Sequence, residues 1–387
     1  MTKTSKRDDR IDFIRGLALL VIFIDHVPKN IFEPFTLHSF AFCDAAEVFF
    51  FLSGYVASLV YGRAMLRDGF VTAAKKVWRR AGVIYLSQLG LMAAVLALVG
   101  LFIAATGDQT YRWVFRAQWV FENPIAYIWP TLTMHFQPGY LDILPTYVVL
   151  LAVFPLVLKG LERSLWLVVA PSFLLWVAVQ VFGLKLWTTS GEPWFFNPFS
   201  WQFIFVLGAV IGHPAQKGQF SFAASRRVFW AALAIVVPVA LIQMSETLSA
   251  HLWFITSLRP HTLLLDKTAL GFLRLVSFFA LAIVLIRFLP PIGALSNKPW
   301  AQAIIRCGSL SLQVFSFGVL LASVTAVSAV LSGGNAWVQS VLTIAGIAAQ
   351  LAFAAWHMAK KREAVEAERR PSLLADIYPQ PARSLRQ

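Results

Sequence analysis

Long apolar runs, separated by short polar or basic segments, recur along nearly the whole chain. About twenty apolar residues rising roughly 1.5 Å each span the hydrocarbon core of a bilayer, so each run predicts a membrane-crossing helix. Ten are placed, near residues 11–28, 45–62, 81–105, 139–158, 164–183, 199–213, 228–245, 269–289, 306–331 and 336–358. The pattern predicts an all-α polytopic membrane protein of about ten transmembrane helices, occupying residues 1–358. From Ala359 the sequence turns charged and then gains prolines, so 359–387 is expected to be a short helical extension and a largely disordered tail.

Charge placement fixes the expected orientation. With the N-terminus in the cytoplasm, the inner segments hold 25 of the 33 Lys and Arg residues and the outer segments six. Only Arg15 and Arg274 fall within spans. Cytoplasmic loops carry the Lys/Arg excess, so the asymmetry supports ten spans with both termini inside. It also removes nucleic acid as the reason for the net charge of +14: basic inner loops meet anionic lipid or an anionic cytoplasmic ligand. The first run lacks a small-residue cleavage site and is read as a retained span, not a signal peptide. Cys43 and Cys307 fall at opposite surfaces and cannot pair within a monomer. Two outer connections are long: 106–138 is rich in aromatic residues, and 245–268 adds His251, Trp253, Arg259 and His261. They are expected to cover the outer mouth as a lid or sugar platform, or to rest as interfacial helices.

Ionisable groups inside a span are costly and mark function by default. The first run, IDFIRGLALLVIFIDHV from Ile11 to Val27, contains Asp12, Arg15, Asp25 and His26. Eleven residues separate Arg15 from His26, about three helical turns plus 20°, so both share one face roughly 16 Å apart. The second run opens DAAEVFFFLSGYV, which puts Asp44 and Glu47 at the outer mouth and Ser53 about 9 Å deeper than Glu47. Glu47 is expected at the depth of His26, where a carboxylate would fix the tautomer of a general base. The competing expectation is that Glu47 pairs with Arg274 and holds helices together. Ser53 is read either as an acyl-accepting nucleophile or as a close-packing residue. Trp201 and Gln202 stand near the outer mouth, with Asp142 and Tyr147 as weaker candidates. Neither G-x-S-x-G nor G-x-x-x-x-G-K occurs, so no nucleophile elbow or nucleotide-driven pump is indicated, and no metal-ligand cluster stands out.

Arginine, ten residues, then histidine in the first span, followed by FFFLSGY in the second, resembles the integral membrane acyltransferase-three superfamily. The segments RIDFIRGLALLVIFIDHV, DAAEVFFFLSGYVASLVYG, LDILPTYVVLLAVFPLVL, FNPFSWQFIFVLGAVIG, DKTALGFLRLVSFFAL and GSLSLQVFSFG narrow the resemblance to the OpgC family, which succinylates osmoregulated periplasmic glucans. The resemblance implies a multi-pass protein of the bacterial inner membrane, moving succinyl groups from cytoplasmic succinyl-CoA to a periplasmic glucan. The donor would be a substrate, with no tightly bound cofactor. It further implies His26 as general base with Glu47 and Asp25 beside it, and a donor site of Arg15, Lys75, Lys76, Arg79, Arg80 and Ser53. Arg274, Asp44, Trp201 and Gln202 would hold the acyl carboxylate or the acceptor sugar. Transfer of acetyl or another acyl group to a different envelope polysaccharide is the alternative. A proton-coupled transporter is less favoured, because the C-terminal half holds no second copy of the first-span motif. Oligomeric state is left open.

Overall fold

The computed structural model describes residues 8–214, 225–244, 264–291 and 293–377. Fourteen α-helices occur among them: α1 (Asp9–Asp25), α2 (Ala45–Asp68), α3 (Phe70–Thr106), α4 (Thr110–Val114), α5 (Gln118–Glu122), α6 (Ile128–Leu132) and α7 (Ile143–Arg163). The second half contributes α8 (Trp166–Phe182), α9 (Pro198–Gly212), α10 (Arg226–Met244), α11 (Phe272–Phe288), α12 (Pro299–Ser309), α13 (Ser311–Leu331) and α14 (Ala336–Ile377). The protein is an all-α membrane protein. By length and composition, six helices can cross a membrane: α2, α3, α7, α10, α13 and α14 over Ala336–Ala364. The apolar helices α8 and α9 are shorter.

Each predicted run contains a helix, with ends shifted by a few residues and three larger differences. Helix α3 begins at Phe70 instead of near residue 81, because the basic stretch that contains Lys75, Lys76, Arg79 and Arg80 is itself helical. The run predicted over 306–331 is broken at Leu310, whose N–H reaches the carbonyls of Arg306 (3.1 Å) and Cys307 (3.2 Å). An amphipathic helix, α12, therefore precedes the apolar α13. At the C-terminus α14 continues past Ala359 to Ile377, and residues 378–387 lie outside the described chain.

Local signals set the ends of the two helices that carry the candidate site. Asp8 caps α1, accepting from the Arg10 N–H at 3.0 Å and from its guanidinium at 2.8 and 3.0 Å. The Arg10 pair holds the Asp8 carboxyl below its ordinary pKa. Helix α2 opens with a capping box: Asp44 Oδ1 accepts from Ala46 N–H at 2.8 Å, while Glu47 Oε2 accepts from Asp44 N–H at 2.9 Å.

Glycines bring backbones together where the bundle is tightest. A Cβ on Gly54 of α2 would overlap the Phe205 carbonyl of α9, and one on Gly208 would overlap the Phe51 carbonyl. Gly16 of α1 and Gly308 of α12 face each other in the same way, against the Ile304 and Asp12 carbonyls. Without a hydrophobic driving force between lipid-bathed helices, such small-residue contacts supply the packing. The connection over 106–138 forms α4, α5 and α6 and packs down, burying Tyr111, Phe115 and Phe136. The connection over 245–268 is described only from Leu264 onward, so His251, Trp253, Arg259 and His261 lie outside the described residues. Cys43 and Cys307 are buried free thiols.

Candidate active site

His26 closes α1 as its C-cap residue, with its backbone N–H on the Phe23 carbonyl at 3.1 Å. Its ring Nδ1 lies 2.5 Å from the Ile22 carbonyl one turn back. A carbonyl can only accept, so a neutral imidazole in this position carries its proton on Nδ1 and its lone pair on Nε2. The Tyr140 ring meets the imidazole edge-on at 5.1 Å and 69°. Tyr140 has φ +70°, an outlier for a bulky side chain, of the kind that costs about 1–3 kcal/mol and clusters at functional sites.

His26 borders a cavity of about 470 Å³. One wall is α1, through Leu19, Ile22, Asp25 and His26; another is α13, through Phe315, Gly318, Val319 and Ala322. Charged groups at the His26 end are Asp25, Asp44, Asp142, Arg116 and Lys267, together with His38. One helical turn beyond Leu19 and Phe315 come Arg15 and Ser311, joined by a 2.5 Å hydrogen bond from Arg15 Nη2 to Ser311 Oγ. Arg15 Nη1 also lies 3.8 Å from Asp12. The break at Leu310 places Ser311 there. The cavity thus runs along α1 from the imidazole toward the guanidinium, on the face that the eleven-residue spacing marks.

Of the two expectations for Glu47, the structure shows the pair with Arg274. Glu47 is fully buried and bonds the Arg274 guanidinium, its Oε1 accepting from Nε at 2.7 Å and Nη2 at 2.6 Å. Its other oxygen is committed to the α2 cap, so Glu47 clamps α2 to α11 and does not set the His26 tautomer, a task that falls to the Ile22 carbonyl. Arg274 also reaches Asp44 Oδ2 at 3.3 Å and has no place in the cavity lining. The cations that do line it are Arg116 and Lys267, the latter 2.6 Å from Asp44 and seated over the rings of Phe195 (5.2 Å) and Phe196 (5.6 Å).

Other predicted residues are dispersed. Trp201 is fully buried, its Nε1 donating to the Lys267 carbonyl at 3.0 Å, so no face is open to a sugar. The Gln202 amide is held by Ser172 of α8, through contacts of 2.5 and 2.8 Å. Ser53 is 2% exposed, its hydroxyl has no hydrogen-bond partner among the described residues, and it lies off the cavity lining. Asp25 faces His38, with Oδ1 at 3.4 Å from Nδ1. On the first turns of α3, Lys75, Lys76 and Arg79 are exposed and Arg80 half-buried; Lys76 bonds Asp68 at 2.7 Å. Tyr147 stacks edge-on with Phe49 in the core. Sequence reasoning missed Lys267, Arg116, His38, Tyr140 and Gln350 as lining residues, and only the tertiary fold assembles them. Among the described residues no group of three His, Cys, Asp or Glu side chains could hold a metal ion.

A family model for the OpgC protein matches residues 7–362, most of the chain. The chain belongs to the OpgC family. No curated protein and no solved structure gives a match. OpgC membership supports a role of the osmoregulated-glucan succinyltransferase type, exercised by a membrane acyltransferase.

Proposed function

We propose that this OpgC-family protein transfers a succinyl group from cytoplasmic succinyl-CoA to a hydroxyl of a periplasmic glucan, in one direct step with His26 as general base. Ten spans, with both termini in the cytoplasm, set the protein in the bacterial inner membrane. They put Arg15 toward the cytoplasmic surface and His26 toward the periplasmic one. The observation that carries the proposal is the imidazole lining a cavity of about 470 Å³, with Nδ1 tied to Ile22 and Nε2 left as the basic nitrogen.

The sugar hydroxyl gives its proton to Nε2 as its oxygen bonds to the thioester carbonyl carbon. The carbon–sulfur bond then breaks, and the proton passes from Nε2 to the departing thiolate of CoA. The donor's arm lies along the α1–α13 wall, its phosphates held by Arg15 and the basic start of α3. Apolar walls at Phe315, Val319 and Ala322 limit water that would otherwise hydrolyse the thioester. The experiment is incubation of purified protein with radiolabelled succinyl-CoA and unsubstituted glucan. Label is expected on the glucan; protein that binds both substrates and moves no label overturns the proposal.

Direct transfer needs no acyl-serine, and the buried position of Ser53 agrees with this. Ser53→Ala is expected to keep at least about half of the wild-type rate, since its hydroxyl touches nothing that reacts. Succinyl-CoA alone should leave the protein unlabelled in mass spectrometry, whereas a stoichiometric adduct that chases onto glucan would make Ser53 the nucleophile.

The acyl carboxylate is assigned to Lys267, with Arg274 as its support: Arg274 steadies Asp44, and Asp44 steadies the ammonium. Asp44 keeps Arg274 when Lys267 is replaced, so the substitution strands no buried charge. Lys267→Gln is expected to lower the preference for succinyl-CoA over acetyl-CoA by about tenfold, the worth of one charged hydrogen bond. An unchanged ratio of the two kcat/KM values would take Lys267 out of acyl recognition.

A further inference from the structure

Among the described residues, the carboxyl groups that line the cavity are Asp25, Asp44 and Asp142. Two have cationic or imidazole partners: Asp25 faces His38 at 3.4 Å and Asp44 holds Lys267 at 2.6 Å. Asp142 has no side-chain partner within hydrogen-bond distance and no ion pair within 4 Å; its carboxyl group meets its own backbone N–H and is within electrostatic reach of His26, Lys267 and Arg116.

Its place in the fold makes this notable. Asp142 is the N-cap residue of α7, a position where aspartate normally accepts from the first free N–H groups. Here its backbone is helical, at φ −96° and ψ −18°, and its side chain makes no cap hydrogen bond. The carboxyl group is withheld from its ordinary local use and lines the cavity. Two residues earlier stands Tyr140, in the left-handed region and edge-on to His26. The turn is fixed from outside by the Gly139 N–H, which donates to the Phe115 carbonyl at 2.8 Å. A forgone cap and a strained tyrosine therefore flank one turn that presents to the cavity a carboxyl group with no side-chain hydrogen-bond partner, beside the general base.

We infer that Asp142 holds the acceptor sugar, accepting hydrogen bonds from hydroxyls next to the one that His26 deprotonates. A carboxylate has about four lone-pair sites and can take two neighbouring hydroxyls of one ring at once, an arrangement a polyhydroxylated acceptor offers and the acyl donor's apolar arm does not. The negative group also discourages the succinyl carboxylate from entering this half of the cavity, which leaves that carboxylate to Lys267. The inference rests on the glucan-acyltransferase proposal.

Because Asp142 makes no cap bond, replacing it leaves α7 its existing hydrogen bonds. In the purified full-length protein, Asp142→Ala is expected to weaken binding of unsubstituted glucan, measured by calorimetry without donor, by about tenfold or more. Asp142→Asn, of the same shape, falls between it and wild type. In turnover, KM for glucan rises while KM for succinyl-CoA stays within twofold, a split that general loosening of the fold would not produce. Unaltered glucan affinity in Asp142→Ala, or equal changes in both KM values, overturns the inference while wild-type transfer still stands. Wild type that binds glucan but transfers no succinyl group removes the functional proposal and leaves Asp142 to be judged on binding alone.

Discussion

His26→Ala is expected to lower succinyl transfer by about 10²–10⁴-fold, the usual contribution of a positioned general base. The size follows from how the imidazole is prepared. Its Nδ1 proton is committed to the Ile22 carbonyl at 2.5 Å, so the ring is held in the tautomer that needs no reorganisation before taking a proton at Nε2. Alanine removes both the base and the proton later required by the thiolate. Stability should change little, because the histidine lies at the end of α1 and borders a cavity instead of filling a packed core. Initial rates from equal amounts of monodisperse protein check the expectation. A variant that turns over within tenfold of wild type would require another proton acceptor, and His38, on the same cavity, would be the next to replace.

Arg15→Ala is expected to raise KM for succinyl-CoA by about 10–100-fold with a smaller change in KM for glucan, since a charge-assisted hydrogen bond is worth about 1.5–3 kcal/mol. The guanidinium donates to Ser311 and lies 3.8 Å from Asp12, and it carries five N–H donors in a planar fork suited to an anion. Arg15→Lys should recover only part of the loss, because an ammonium keeps the charge and loses the planar fork. Both constants measured on the same preparation decide it. If succinyl-CoA is used with unchanged KM while glucan use collapses, the donor does not approach along this face.

The first helix was legible to within three residues at each end. Helical periodicity alone put Arg15 and His26 on one face, and the cavity follows that face from Leu19 to His26. Of the two roles expected of Glu47, the pair with Arg274 is found and the contact with His26 is not, for a reason the sequence also contains. Asp44-Ala45-Ala46-Glu47 is a capping-box pattern, which commits the glutamate to the Asp44 N–H before any partner across the bundle is considered, and depth along an axis says nothing about which way a side chain turns. Trp201 and Gln202 were assigned to the outer mouth on depth as well, but α9 is buried against α2 and α8, so both face protein. Lys267 and Tyr140 carry no local signal at all. They come from connections distant in sequence, and only the packing of α7 and α11 around α1 and α2 brings them to one cavity. The break at Leu310 was hidden because a single apolar run reads the same whether or not one residue interrupts its hydrogen-bond ladder.

The two ends of α1 are held by unlike means. At the Arg15 end, Gly16 and Gly308 let α1 and α12 touch backbone to backbone, and no substitution there can be absorbed by a side chain moving aside. At the His26 end the helix stops, and the surroundings are side chains and turns such as the one at Gly139. Change can therefore enter the molecule unevenly. The end that would meet an acyl donor common to all cells is a fixed gauge, whereas the end that would meet a polymer differing from one cell envelope to the next can be redrawn by altering loops. Descendants of this architecture are free to exchange acceptors far more readily than donors.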